Sequence, residues 1–382
     1  MRNVIISLLM LVVLTGCWDI KEVQTINFVT ALGIDYVKGR YVVYAQLLDF
    51  SKISKQDAGG SNAEKSDTWI GRSEGNTISQ ALNNMYPASQ QQTLWTHVKA
   101  IIFSEALLES KLPDTLNGLL RSRDLRYTPW VFGTNQDISK LFSSVALLNQ
   151  SSLNSELMDP LEIYKQYSSV EPQRIIKLVN GVKEPAFSFL LPSITTTDKI
   201  WKNENTPQSL VKLNGVYVIS QGKKRGYVDQ KELDGARFVS YKYMHKYPLR
   251  LETREGKNIV VNIIHPKSDI KIHEDKVGLG ASINIRARAN VVDVDAGSKA
   301  TAFEIKQLAE KMMEQQIRSD FETAKTRQLD IYKIDDILYR KHNRLWKKYN
   351  SSKQHSISRT NLGDVNVDLK VTHSTSYKLK NK

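Results

Sequence analysis

The sequence predicts a multi-domain α+β protein. Its N-terminal part reads as a mixed sheet with helices, and its C-terminal part as an antiparallel-rich sheet covered by two long helices. Three observations lead there. Strand-like and helix-like stretches alternate over the first 135 residues, which is the pattern of a sheet with helices on its faces. From Val211 onward strand-like stretches come in a run and helical ones follow, the ordering of a sheet with helices packed across it. After Cys17 no apolar stretch approaches the roughly 20 residues needed to span a bilayer. A chain of 382 residues is long enough for two or three cores.

The first sixteen residues stand apart from that body. Met1-Arg2-Asn3 places a positive charge before an apolar run from Val4 to Leu14. The run is too short for a spanning helix, and with the small residues that follow it describes a secretory signal peptide. Leu14-Thr15-Gly16-Cys17 resembles the bacterial lipobox, in which small residues enter a peptidase cleft and the cysteine sulfur accepts a diacylglyceryl group. Cys17 is the only cysteine in the chain, so it is the expected site of S-diacylglycerol and N-acyl (palmitate-type) attachment, and no disulfides are expected. Residues 1–16 are read as leader, 17–135 as an N-terminal α+β domain, 136–200 as a small middle domain and 205–382 as a C-terminal α+β domain. With Arg2 lost in the leader, 53 basic residues face 40 acidic ones, a mature charge of +13. Positive charge on a tethered protein suits anionic headgroups. Nucleic acid, its other usual partner, is not expected for an exported chain.

Each element has a local reason. Ile26 to Tyr36 and Tyr41 to Phe50 read as strands joined by a Lys38-Gly39-Arg40 turn. Only about nine residues, at most roughly 30 Å of chain, separate Cys17 from this structure. Ser51 to Ser66 is polar and reads as a loop. Order resumes at Trp69, and Thr77 caps a helix whose apolar positions are Ile78, Ala81, Leu82 and Met85. Val98 to Phe103 and Trp130 to Thr134 are short buried strands, with a helix around Asp114 to Arg121 between them. Asp137 to Leu148 and Pro160 to Tyr167 are helical, and Glu184 to Pro192 is a strand or connector. Asn203 to Pro207 reads as a linker.

In the second half, Val211 to Ser220, Arg237 to Tyr243, Leu249 to Thr253, Asn258 to Ile264, Ser268 to His273 and Gly280 to Asp293 are strand-like. Uninterrupted helices are expected over Thr301 to Arg327 and Tyr332 to Tyr349, the first with Ile305, Leu308, Met312 and Phe321 at helical spacing. Asp364 to Val371 alternates polar with apolar, so it is expected to complete the sheet with one face buried.

Catalytic and metal signatures are missing, so no enzyme, cofactor or metal is expected. Gly278-Leu279-Gly280 precedes a strand and lacks a third glycine, and no Gly-x-Ser-x-Gly elbow occurs. His273-Glu274 has no second histidine four residues on. Asp293 and Asp295 share a strand face but are too few for calcium. The cluster Arg121-Ser122-Arg123-Asp124-Leu125-Arg126 is an anion-site candidate whose simpler reading is a solvated basic turn. Asp335-Asp336 suits a helix N-terminus, and Trp346 reads as a packing anchor. Arg340, Lys341, Arg344, Lys347 and Lys348 crowd one end of the last helix, either as a solvated face or as a contact for anionic lipid or an acidic subunit.

Cys17-Trp18-Asp19 behind a lipobox, followed by Ala31-Leu32-Gly33-Ile34-Asp35, resembles the start of the Ger(x)C spore germination lipoproteins. Leu213-Asn214-Gly215-Val216-Tyr217-Val218 is similar to the strand opening that family's C-terminal domain. Tyr339 to Lys348, with Val365-Asn366-Val367, is similar to its closing helix and strand. The resemblance implies a role in spore germination as the C subunit of a germinant receptor, with three α+β domains on the outer face of the spore inner membrane. It further implies integral-membrane A and B subunits as partners, and action by assembly or signal relay. A lipid-anchored extracellular solute-binding protein is the alternative. Such proteins alternate strand and helix throughout, unlike the strand run and helix run of residues 211–349.

Overall fold

The computed structural model describes residues 26–48, 68–121, 125–144, 155–276, 278–349 and 355–373. Cys17 with its leader and the Trp18-Asp19 pair lie outside the described residues.

The first half builds a mixed sheet. β1 (Ile26–Val37) and β2 (Arg40–Leu48) form an antiparallel hairpin. Its turn places Lys38 and Gly39 at positive φ, 49° and 83°, a shape that glycine adopts without strain. β3 (Thr68–Gly75) extends this edge, and Thr77 caps α1 (Ile78–Asn83) by accepting the Gln80 N–H. β4 (Gln92–Leu94) lies beside β1. β5 (Ala100–Ser104), α2 (Glu105–Ser110), α3 (Leu112–Arg121) and β6 (Trp130–Thr134) follow. Next come α4 (Ile138–Phe142), α5 (Pro160–Gln166), α6 (Ile175–Lys183) and β7 (Ser188–Thr197). Every residue of β5 and β6 is buried, which is why Ala100 to Phe103 is an unbroken apolar run: central parallel strands have no wet face.

After β7 the chain turns through a small hairpin, β8 (Lys202–Asn203) and β9 (Thr206–Pro207), into β10 (Leu210–Ser220) and β11 (Lys223–Asp229). β10 pairs with β7 from Leu210 to Ser220. The stretch expected as a linker is thus a hairpin, and the boundary expected near 205 lies between two hydrogen-bonded neighbours. The large sheet runs β11-β10-β7-β6-β5-β1-β2-β3, with β4 beside β1.

The second sheet is smaller. A 3-10 turn (Gln230–Leu233) and α7 (Ala236–Ser240) lead to β12 (Lys246–Glu252), β13 (Asn258–Asp275) and β14 (Gly278–Val294). α8 (Ala302–Arg327), α9 (Ile334–Lys341) and α10 (Asn343–Tyr349) precede the closing β15 (Thr360–His373). The order is β12-β13-β14-β15. The first three strands are antiparallel, and β15 joins β14 in parallel. α8 starts from a capping box made by Thr301 and Glu304. Its side chains reach the outer edge of β15: Glu310 accepts the Leu369 N–H at 2.9 Å and Arg318 donates to the Gly363 carbonyl at 2.9 Å. Both bonds satisfy backbone groups that an edge strand would otherwise leave unpaired. One apolar cluster runs from Ala31 and Phe132 of the large sheet through Phe238 to Ile283 and Ile305.

Three elements differ from the sequence expectation. Arg237 to Tyr243 alternates like a strand but folds as α7. Its N-terminal N–H groups are taken by Asp320 of α8, and a Cβ on Gly235 would sit 2.3 Å from the Ile317 backbone nitrogen. Tertiary contacts therefore override a pattern-based reading over so short a stretch. The second long helix is two short ones: His342 leaves helical geometry at φ −136°, and Tyr339 and Trp346 pack edge to face across the break at 4.9 Å. Conversely, Asn258 to His273 is one strand, because the register slips between Ile264 and Lys267, with His265 at φ 47°, and pairing then resumes.

Candidate functional site

A seam of buried polar side chains is contributed by residues 164–174, α7 and the segments flanking α9. Ser168 ties its start. Its hydroxyl accepts the N–H groups of His245 and Lys246 at 3.0 and 3.2 Å and donates to the Tyr164 carbonyl, while its own N–H donates to the Lys246 carbonyl.

Arg237 is the centre of this seam and has no exposure to solvent. Its guanidinium donates to the carbonyls of Leu233 and Gln230 and to Asp234, and lies 3.7 Å from the Tyr247 ring centroid. A charge so deep is held only where carbonyls, a carboxylate and a ring face replace water together. Around it, Tyr164, Tyr241 and Glu171 are buried. Burial, then the Glu171 charge, pushes the Tyr164 hydroxyl well above the usual tyrosine range.

Further along, Asp320 accepts the N–H groups of Gly235 and Ala236 at 2.7 and 3.1 Å, and burial pushes its carboxyl up to about 7. Asp330 accepts the N–H groups of Ile334 and Asp335, doing for α9 what a capping side chain does. Burial, then the Asp335 charge, raises the Asp330 carboxyl to about 7. Asp335 accepts the Ser356 N–H at 3.0 Å and pairs with His355 Nδ1 at 2.7 Å. That hydrogen bond is the main reason the imidazole titrates above its ordinary value. Lys333 donates to the Ser240 carbonyl, and burial lowers its ammonium. The bonds of Arg237, Asp320, Asp330 and Asp335 stay within residues 230–356, while those of Ser168 to His245 and Lys246 tie the first half of the chain to β12.

The residues singled out by sequence are scattered. Cys17 and Arg123 lie outside the described residues. Arg121 lines a shallow cavity of about 220 Å³ together with Trp95, Leu119 and Leu125. Asp295 accepts both N–H groups of Asn258, and Asp293 accepts the Val294 N–H. Among the described residues no three His, Cys, Asp or Glu side chains are grouped to hold a metal. Asp335 is buried rather than displayed at a helix end. Of the basic end of the chain, Arg340 is bound by Asp336 and Glu184, and Lys348 by Glu274.

Sequence reasoning missed Arg237, Asp320, Asp330 and His355. One signal was present: Asp320 follows Ile317 by three residues on the apolar stripe of α8, where a lone carboxylate must find a buried partner.

Fold and seam together define a two-sheet α+β scaffold in which buried ionisable groups such as Asp320, Asp330 and Asp335 serve internal architecture. Residues 19–196 match the spore germination protein N-terminal domain, and residues 214–375 match the family described as spore germination B3/GerAC-like, C-terminal. The chain belongs to this family of spore germination proteins. Spore germination protein KC of Bacillus subtilis (strain 168) is 20% identical over 361 residues, covering 90% of this chain and 88% of that protein. Spore germination protein B3 of the same organism is 24% identical over 221 residues, 56% of this chain and 54% of that one. The crystal structure of the GerBC protein superposes with a TM-score of 0.52 at 15% identity, over 89% of this chain and 96% of that chain, and so shares the fold.

Proposed function

We propose that the chain is a membrane-anchored lipoprotein subunit of a spore germinant receptor, acting without catalysis, by assembly or signal relay, beside integral-membrane A and B subunits. The observation that carries this reading is the order of the chain. The spore-germination match begins at residue 19, directly behind Leu14-Thr15-Gly16-Cys17. In this reading Cys17 is the mature N-terminus and carries an S-diacylglyceryl thioether and an N-acyl chain. Several acyl chains give stable anchoring where one is marginal, at roughly 0.8 kcal/mol per buried methylene. The body then lies on the outer face of the spore inner membrane. No described helix is long and apolar enough to cross a membrane, so the link to the bilayer in this proposal is the lipid.

The test is Cys17→Ala in the sporulating host. The variant should stay unlipidated, partition into the aqueous phase of a detergent extraction, and leave spores slow to respond to the receptor's germinant. A mature membrane-bound protein whose Cys17 is unmodified by mass spectrometry would refute the reading.

A further inference from the structure

The C-terminal sheet has one covered face and one open face. Along β14, Ile283, Ile285, Ala287, Ala289 and Val291 are buried, and the residues between them point away from the core, with Arg286 and Arg288 exposed. The strand register sets two rows of side chains across this open face. Arg286 lies opposite Lys267 on one side and Asp368 on the other. Arg288 lies between Ile264 and Lys370, and Ile264 in turn lies opposite Lys246.

The charges on these rows are not internally balanced. Arg286, Arg288, Lys267, Lys246 and Lys370 make no side-chain hydrogen bond or ion pair among the described residues, in contrast to Arg340 and Lys348. The acidic member, Asp368, is already bound by Lys306 of α8 at 3.1 Å. The two rows carry no aromatic side chain.

We propose that this open face of the C-terminal sheet is the surface the protein lays against an anionic lipid bilayer. The inference rests on the reading of the chain as bilayer-tethered and adds which surface meets the headgroups. Charge complementarity decides for lipid over an acidic protein. Protein interfaces are centred on aromatic anchors and are depleted in lysine, whereas a headgroup layer asks only for basic side chains in one plane. A sheet face supplies that plane, since alternate residues of neighbouring strands project together.

The test uses the mature chain, residues 17–382, carrying Cys17→Ala so that no acyl chain contributes. It should co-sediment with vesicles of phosphatidylglycerol and phosphatidylcholine at low ionic strength, ignore pure phosphatidylcholine, and dissociate as salt is raised. Arg286→Glu with Arg288→Glu should lower the partition coefficient by at least about twentyfold, taking about fivefold per basic residue at such a surface. Arg286→Gln with Arg288→Gln should give a smaller loss in the same direction. Lys140→Glu with Lys223→Glu, the same charge change at exposed sites of the large-sheet half, should stay within about twofold of wild type. Equal losses for the two reversed pairs would reduce the effect to net charge and overturn the assignment. So would a wild-type chain that ignores anionic vesicles. If that chain is nonetheless retained on immobilised poly-glutamate through Arg286 and Arg288, the face docks an acidic protein and the bilayer is the wrong partner. Lipidation is read separately, from the mass of the Cys17 peptide of the unmutated protein, so failure of the anchor and failure of the face are distinguishable.

Discussion

The Asp320 carboxylate on α8 takes the N–H of Gly235 at 2.7 Å, a bond between residues 85 positions apart in sequence. It binds the start of α7 to the helix that shares its core, and both partners are buried deeply enough for water to be a poor substitute.

Asp320→Ala should therefore cost about 2–4 kcal/mol, because it strands two buried N–H donors. Asp320→Asn keeps an acceptor oxygen and should cost less. It should also change the pH dependence. The folded carboxyl titrates near 7, above its unfolded value of about 3.9. The folded state thus binds more protons than the unfolded chain between those values. In that window this group lowers stability as pH rises, by no more than about 1.4 kcal/mol per pH unit. Urea denaturation at pH 5 and pH 7.5 should show the stability gap between wild type and Asp320→Asn narrowing at the higher pH. A constant gap would mean that Asp320 is ionised throughout.

His355 gives a second pH signature. Its imidazolium is favoured by Asp335 and, more weakly, by Asp330, and opposed by burial and by Arg225. A raised folded value means that its stabilisation is fully present below about 6.5 and is lost as pH rises through the folded value. Asp330, near 7 when folded, acts with the same sign from about 4 upward. His355→Asn should flatten the fall in melting temperature above pH 6.5. Parallel curves for wild type and variant would show that the imidazole titrates at the same pH in the folded and unfolded chain.

Gly235→Ala should destabilise by about 2 kcal/mol or more, because the added methyl meets backbone of α8 rather than a side chain that can swing away. Denaturant titration reads it directly. A loss under about 0.5 kcal/mol would mean that α8 yields at this point.

Ending the chain before Gly363 removes most of β15, including buried Val365 and Leu369, and should prevent the C-terminal sheet from forming. Removing residues 376–382, beyond the described strand, should leave the melt unchanged. Leu369→Ala gives an intermediate case of about 2–5 kcal/mol. Equal melts for the two truncations would place β15 outside the cooperative unit.

Sequence patterns located the elements that local chemistry dictates. Thr77, the Lys38-Gly39 turn, the apolar run of β5 and the alternation of β15 each carry their own signal, and each stands as expected. The misses share a cause. α7 is too short for periodicity to separate helix from strand, and its helical state comes from Asp320, far along the chain. The break at His342 has no proline or glycine to announce it. β11 and α6 went unread because the first is half polar and the second is bounded by neither a capping side chain nor a glycine. The seam was least legible, because Arg237, Asp330 and His355 look like ordinary surface residues until the fold buries them. The open basic face was legible only in part: alternation puts Arg286 and Arg288 on one side of a strand, but only the register supplies their neighbours Lys267 and Lys370.

The parallel pairing of β15 with β14 has a consequence for the order of events in making the protein. β14 is synthesised, then all of α8 to α10, and only after them the strand that covers its edge. A growing chain therefore holds a long, unpaired strand edge, apolar on one face only, until β15 has been made. Closing that gap requires a contact between segments far apart in sequence, and such contacts form slowly. The C-terminal sheet is thus open to misassembly between neighbouring chains while β15 is still missing, and its maturation would benefit from a folding helper that shields that edge.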